Sequence, residues 1–279
     1  MTPIDFDEKF KKHLHAWAHE NLTGEENEDE IEEKELAEYE SWTGTPQDWL
    51  DGRTPKEYFD GIADANTAIK LFAQYAMGGI GIPPLLITRM IEMKEEVYPA
   101  LLFVLRSEDV ENAPTRKLKA KIIELITEME KPHPYDLYIR WITESKKENE
   151  LTEEAAYALL EAGEGQKEPL LEACRNTGSG YAGECLMDIL SNFLGDGRIV
   201  EFTVDRFLTT PDRRAFYANC LGKLGDPEAL QYLYEALADE DLGYYDYTAI
   251  KYAIEELGGI VELDRDFSGD PDYEKLKDL

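Results

Sequence analysis

Apolar residues recur along most of this chain at three- and four-residue spacing, the period of a helix with one buried face. Ile4–Asn21 shows it first, with Phe6, Phe10, Leu14 and Trp17 on one stripe. Gly24–Glu40 interrupts the rhythm. It is mostly Glu and Asp, with Ile31, Leu36 and Tyr39 as sparse apolar points, and reads as a solvated helix or a partly disordered stretch. Two short helix starts follow. Thr45-Pro46-Gln47-Asp48 precedes Trp49-Leu50, and Thr54-Pro55-Lys56-Glu57 precedes Tyr58-Phe59. The second is a capping box with proline at the first helical position, where no N–H is needed. From Asp64 the helical period is nearly continuous. Ala65–Ala76 ends at Gly78-Gly79, and Pro83–Met93 carries so many apolar residues that burial on several sides is expected. No long stretch alternates as a strand would, so the pattern predicts an all-α chain.

The helices also repeat. An apolar residue followed by two more, three and four positions on, occurs as Leu101, Val104, Leu105, then Tyr138, Trp141, Ile142, then Leu170, Ala173, Cys174. It continues as Thr203, Arg206, Phe207, a poor match, and as Leu233, Ala236, Leu237. Between these first helices lie second ones, expected at Lys117–Met129, Glu153–Glu161, Tyr181–Phe193, Arg213–Lys223 and Tyr247–Leu257. The joints repeat too: Leu194-Gly195-Asp196-Gly197, Leu224-Gly225-Asp226-Pro227 and Leu257-Gly258. Glycine can take the left-handed conformation that ends a helix, aspartate can cap the next one, and proline suits its first turn. Repeats of about 30 to 37 residues mark an α-α superhelix, in which each helix pair covers its apolar face by stacking on its neighbours. The expected organisation is an acidic helical extension over 1–60, a repeat solenoid over 61–262 and an acidic tail over 263–279.

With these residues in view the chain resembles HEAT-like repeat proteins, specifically the short bacterial type named after phycobilisome lyases. The resemblance rests on Leu224-Gly225-Asp226-Pro227-Glu228-Ala229-Leu230, on Leu233–Leu237, and on Leu221-Gly222-Lys223-Leu224-Gly225 as the end of a second helix. Arg214 stands where that family often has arginine. The match covers about Gly163–Gly258. It implies a HEAT-like solenoid whose second helices line a concave face; it says little about activity. On that geometry Arg213, Arg214, Tyr217, Tyr244, Tyr245 and Tyr247, with Tyr181 and Glu184 before them, would form one partly exposed binding strip. Ordinary semi-buried aromatics are the alternative reading of the same tyrosines.

Charge narrows the function. The formal net charge is −31, which opposes the phosphate neutralisation that nucleic-acid binding requires. It fits either plain solubility or a protein partner with a basic surface. No apolar run spans a bilayer and Met1–Asn21 lacks a signal-peptide core, so a cytoplasmic protein with no membrane partner is expected. Cys174, Cys185 and Cys220 form no CxxC pair and read as small buried hydrophobes.

Candidate chemistry is sparse. His15 and His19 share a helix face with Glu20 adjacent, but no HExxH pattern is present, and surface histidines account for them and for His13 and His133. There is no GxSxG, Walker loop or GxGxxG, and Thr177–Gly183 reads as a turn rather than a phosphate cradle. Arg116, Lys117, Lys119 and Lys121 are expected to pair along their own helix with Glu124 and Glu128. No cofactor is expected. The leading reading is a non-enzymatic protein-binding module. A tetrapyrrole lyase-like or other ligand-binding repeat protein, and a DNA-repair glycosylase-like one that the charge opposes, are the rivals.

Overall fold

Side-chain caps open many of the helices in the computed structural model, which describes residues 3–22, 26–107, 112–262 and 265–277, the side chains of 276 and 277 excepted. Gly24, which opens the acidic block, and Leu263, Asp264, Asp278 and Leu279 of the tail lie outside the described residues. Among those residues the regular structure is entirely helical, with sixteen α-helices and no strand. The chain divides into two compact units, 1–134 and 135–279. The division falls inside the 61–262 span, so the acidic extension shares a unit with the first helices that follow it.

The first unit contains α1 (Phe6–Asn21), α2 (Glu28–Thr43), α3 (Pro55–Asp60), α4 (Ala65–Gly78), α5 (Pro84–Glu92), α6 (Lys94–Leu105) and α7 (Ala113–Glu128). The acidic block is helical because Asn27 opens it with a capping box: its side chain accepts from Glu30 N, and the Glu30 carboxylate accepts from Asn27 N. Glu28, Asp29 and Glu30 then occupy the first turn, where the helix dipole favours anions. Aromatic rings from α1, α2, α3 and the turn before α3 pack together. The Phe6 ring lies 4.8 Å from Phe59, 5.4 Å from Trp49 and 5.6 Å from Tyr58. Phe10 meets Tyr39 and Trp42, and Trp42 stacks on Trp49. The Tyr75 hydroxyl of α4 donates to Ile4 O and accepts from Ile4 N, fastening the chain ahead of α1. α4 packs against α5, α6 and α7.

Two expectations for this unit need correction. α5 is buried on one side only: Leu86 and Met90 are fully enclosed, while Leu85, Ile87 and Ile91 stay partly exposed. In the basic cluster Lys121 pairs with Glu124 along α7, but Lys119 is fully buried. Its ammonium donates to the carbonyls of Leu105 and Ser107, at the end of α6 where carbonyls lack helical partners.

The second unit contains α8 (Tyr135–Glu144), α9 (Glu150–Glu161), α10 (Lys167–Asn176), α11 (Tyr181–Leu190), α12 (Gly197–Thr209), α13 (Arg214–Leu224), α14 (Leu230–Leu237), α15 (Tyr244–Glu256) and α16 (Pro271–Lys277). α8 pairs with α9, α10 with α11, α12 with α13 and α14 with α15; α11 also meets α9 and α13, and α13 packs most extensively on α15. The repeated apolar signature marks the core. Its first position is 0% exposed in every copy: Leu101 in the first unit, and Tyr138, Leu170, Thr203 and Leu233 in the second. The poorly matching copy is satisfied locally. Thr203 donates to Ile199 O, and Arg206 donates to Thr177 O just past the end of α10. The joints are built as their residues predict, with Gly195, Gly225 and Gly258 at φ 78°, 72° and 81°. Asp196 and Asp226 cap the turns that follow by accepting from the N–H two residues on.

Candidate functional site

α13 and α15 are held together at both ends. At the start, Asp246 of α15 accepts a hydrogen bond from Ala215 N, one of the first N–H groups of α13 that has no helical partner. Towards the other end Gly222 lets the helices touch; a Cβ there would sit 3.1 Å from the Ala253 Cα. Ala218 and Ala253 are fully buried in the seam. On its open side lies a groove of about 330 Å³, lined by Ala215 and Asn219 of α13 and by Tyr244, Tyr245, Thr248, Ala249 and Tyr252 of α15. Small residues form the floor and tyrosines the walls. Tyr245 is 67% and Tyr252 62% exposed.

The segment after α15 turns back over the start of that helix. Asp270 accepts from Tyr244 N on α15 and from Asp272 N and Tyr273 N on its own helix. These bonds favour the ionised form and hold its carboxyl below the usual range. Phe267 packs 5.3 Å from the Tyr244 ring and 5.0 Å from Tyr247, and Tyr273 adds a third ring against Tyr244. Arg265 lies over the Tyr247 ring at 4.9 Å and donates to Leu237 O and Asp239 O at the end of α14.

The six residues of the expected strip are therefore not equivalent. Tyr245 faces solvent and Tyr244 is half-buried beneath Phe267 and Tyr273. Arg213 is exposed, with Nε 2.8 Å from Glu184 Oε1 but out of line for a hydrogen bond. Arg214 is half-buried, 3.7 Å from Asp239. Partial exposure of Tyr217 and Tyr247 is corrected: they are 2% and 6% exposed. Tyr217 packs edge-on to Phe216, and burial raises its pKa. Tyr181 donates to Thr152 Oγ1 and is pushed up to about 12, chiefly by burial. Asn219, Thr248 and Tyr252 were not singled out from sequence, although Tyr252 stands seven residues after Tyr245, two turns along the same face.

No protein-family model matches the chain, and no curated protein matches it in sequence.

The other candidates lie apart from this groove. His13 Nε2 pairs with Glu38 Oε1 at 2.5 Å, joining α1 to α2, while His15 and His19 are exposed. His133 is half-buried, and burial lowers its pKa. Among the described residues no three His, Cys, Asp or Glu side chains converge as metal ligands, and no helix is long and apolar enough to cross a membrane. The cysteines are free thiols; Cys174 and Cys220 are buried as expected, whereas Cys185 is only partly so, and burial pushes Cys174 and Cys220 up to about 12 and Cys185 to about 11. The expected turn over Thr177–Gly183 is shorter: 177–180 join α10 to α11, with Gly180 at φ 131°, and Gly183 already lies buried within α11.

Proposed function

We propose that the second unit is a HEAT-like helical-repeat module that binds a protein partner on the face formed by its second helices, without chemistry of its own. The observation that carries this reading is the tyrosine-walled groove between α13 and α15, with Tyr245 and Tyr252 about two-thirds exposed. Tyrosine supplies rigid contact area with a polar tip and is enriched where binding energy concentrates. The pairing of α8 with α9 through α14 with α15, and the contacts that run from α9 to α11, α13 and α15, support the solenoid form of the reading. The tetrapyrrole and nucleic-acid alternatives call for cations in the site, and the groove lining carries none. Three free cysteines, two of them buried, fit the cytoplasmic setting of this reading.

Affinity capture from the native host tests the proposal, using the full chain and its Tyr245→Ala/Tyr252→Ala variant side by side, with mass spectrometry of the bound proteins. The expected result is a specific partner lost from the variant while helical content and melting temperature hold. An identical set of captured proteins from both chains places the function elsewhere.

A further inference from the structure

We infer that the α13–α15 groove takes a peptide segment bearing lysine or arginine, its cation seated against the faces of Tyr245 and Tyr252. This rests on the protein-binding reading and names the chemistry of the ligand.

Four observations converge. The groove walls are phenol rings, whose negative faces attract cations. The chain carries a formal net charge of −31, so an approaching cation is favoured and an anion opposed. Neighbouring basic residues already sit beside this chain's own carboxylates, Arg213 beside Glu184, Lys223 beside Asp188 and Arg214 beside Asp239, so their charges are offset. The fourth observation is an internal precedent on the same helix. Arg265, arriving on a separate segment, lies over the ring of Tyr247 and directs its N–H groups to main-chain carbonyls. Tyr245 and Tyr252 offer the same ring chemistry at the surface. Asn219 adds an amide and Thr248 a hydroxyl, which can donate to and accept from the main chain of a bound segment. A groove of about 330 Å³ suits one long side chain and its backbone rather than a folded domain.

The test is fluorescence anisotropy with the full chain at roughly 150 mM salt, where diffuse attraction is screened beyond about 8 Å. The probes are fluorescein-labelled peptides of four Gly-Ser-Arg, Gly-Ser-Leu or Gly-Ser-Glu repeats. The Gly-Ser-Arg peptide is expected to bind most tightly. Tyr245→Ala/Tyr252→Ala should weaken it about tenfold or more, and Tyr245→Phe/Tyr252→Phe should stay within about twofold, because the ring face is kept. Neither variant changes the charge, so attraction to the acidic surface as a whole would be the same in both. Equal affinity of the Ala variant and the native chain for the Gly-Ser-Arg peptide overturns the inference, as does failure of that peptide to bind. Tighter binding of the Gly-Ser-Leu peptide, lost in the Ala variant, overturns the cation and leaves the protein-binding reading standing. No response to any probe, with a captured protein set unaltered by the Ala variant, removes both.

Discussion

The chain has two aromatic-rich regions, and they meet opposite fates. Around α1, α2 and α3, Phe6, Trp42 and Phe59 are 4%, 3% and 1% exposed. On α15, Tyr245 and Tyr252 are 67% and 62% exposed. The first region is closed because α1 and α2 each bring an apolar edge to the same place: Phe6 reaches Trp49, Tyr58 and Phe59, and Phe10 reaches Tyr39 and Trp42. The second is closed only in part, since the returning segment covers Tyr244 and Tyr247 with Phe267 and Tyr273 and leaves their neighbours in water. Rings enclosed on all sides stabilise the fold through burial and edge-to-face contact. Rings left open contribute little to stability, and the proposed function gives these a role in binding.

Alanine substitution separates the two fates most sharply. Trp42→Ala is expected to cost about 3–5 kcal/mol in chemical denaturation, the usual loss for a buried large aromatic. Tyr252→Ala should stay within about 0.5 kcal/mol, as exposed positions do. A cost of several kcal/mol for Tyr252→Ala would make it core and collapse the contrast.

The next effect in size tests the joint that leads into α14. Gly225 holds φ 72°, where a Cβ is strained, so Gly225→Ala should cost about 1 kcal/mol or more. Unchanged stability would mean that the turn adapts without a left-handed residue. The partial cover on α15 is tested by Asp270→Ala, which removes the acceptor for Tyr244 N and for the start of α16. A lost cap of this kind costs about 1 kcal/mol, here expected as faster amide exchange over residues 244–247, with Asp270→Asn close to the native chain. No change in exchange would detach the segment from the α15 site.

The smallest effect concerns acid stability. Arg198 bonds Asp196 and Glu168 together, and its guanidinium holds the Asp196 carboxyl well below the usual range. A lowered folded pKa means a contribution that is complete above the unfolded value near 4 and is lost as pH falls through the folded one. Asp196→Asn keeps a capping side chain and removes the charge, so it should flatten the acid limb of the stability profile slightly. An acid limb identical to that of the native chain would show that this surface network contributes nothing measurable.

Much of the fold was legible in the sequence where local chemistry decides it. The first position of the repeated signature is buried in all five copies, and the Leu-Gly joints, the Thr54 capping box and the break at Gly79 lie where their residues predict. The helix of the acidic block was signalled by Asn27 and Glu30 but masked by its charge. What depends on distant neighbours was not legible. α13 buries Tyr217, Ala218, Cys220, Leu221, Gly222 and Leu224, nearly all round, because α11, α12 and α15 all pack against it; no stripe in its sequence says that Tyr217 faces in. Tyr247 is buried by Phe267, twenty residues on in the chain, and Lys119 is buried because carbonyls at the end of another helix receive it. Tyr252 was within reach of a two-turn spacing argument from Tyr245.

Amide hydrogen exchange of the full chain with and without its captured partner tests the central claim most directly. The exposed tyrosine face predicts added protection at residues 213–219 and 244–252, with the aromatic cluster of the first unit already protected and unchanged. Protection that leaves both of those segments untouched would contradict the account.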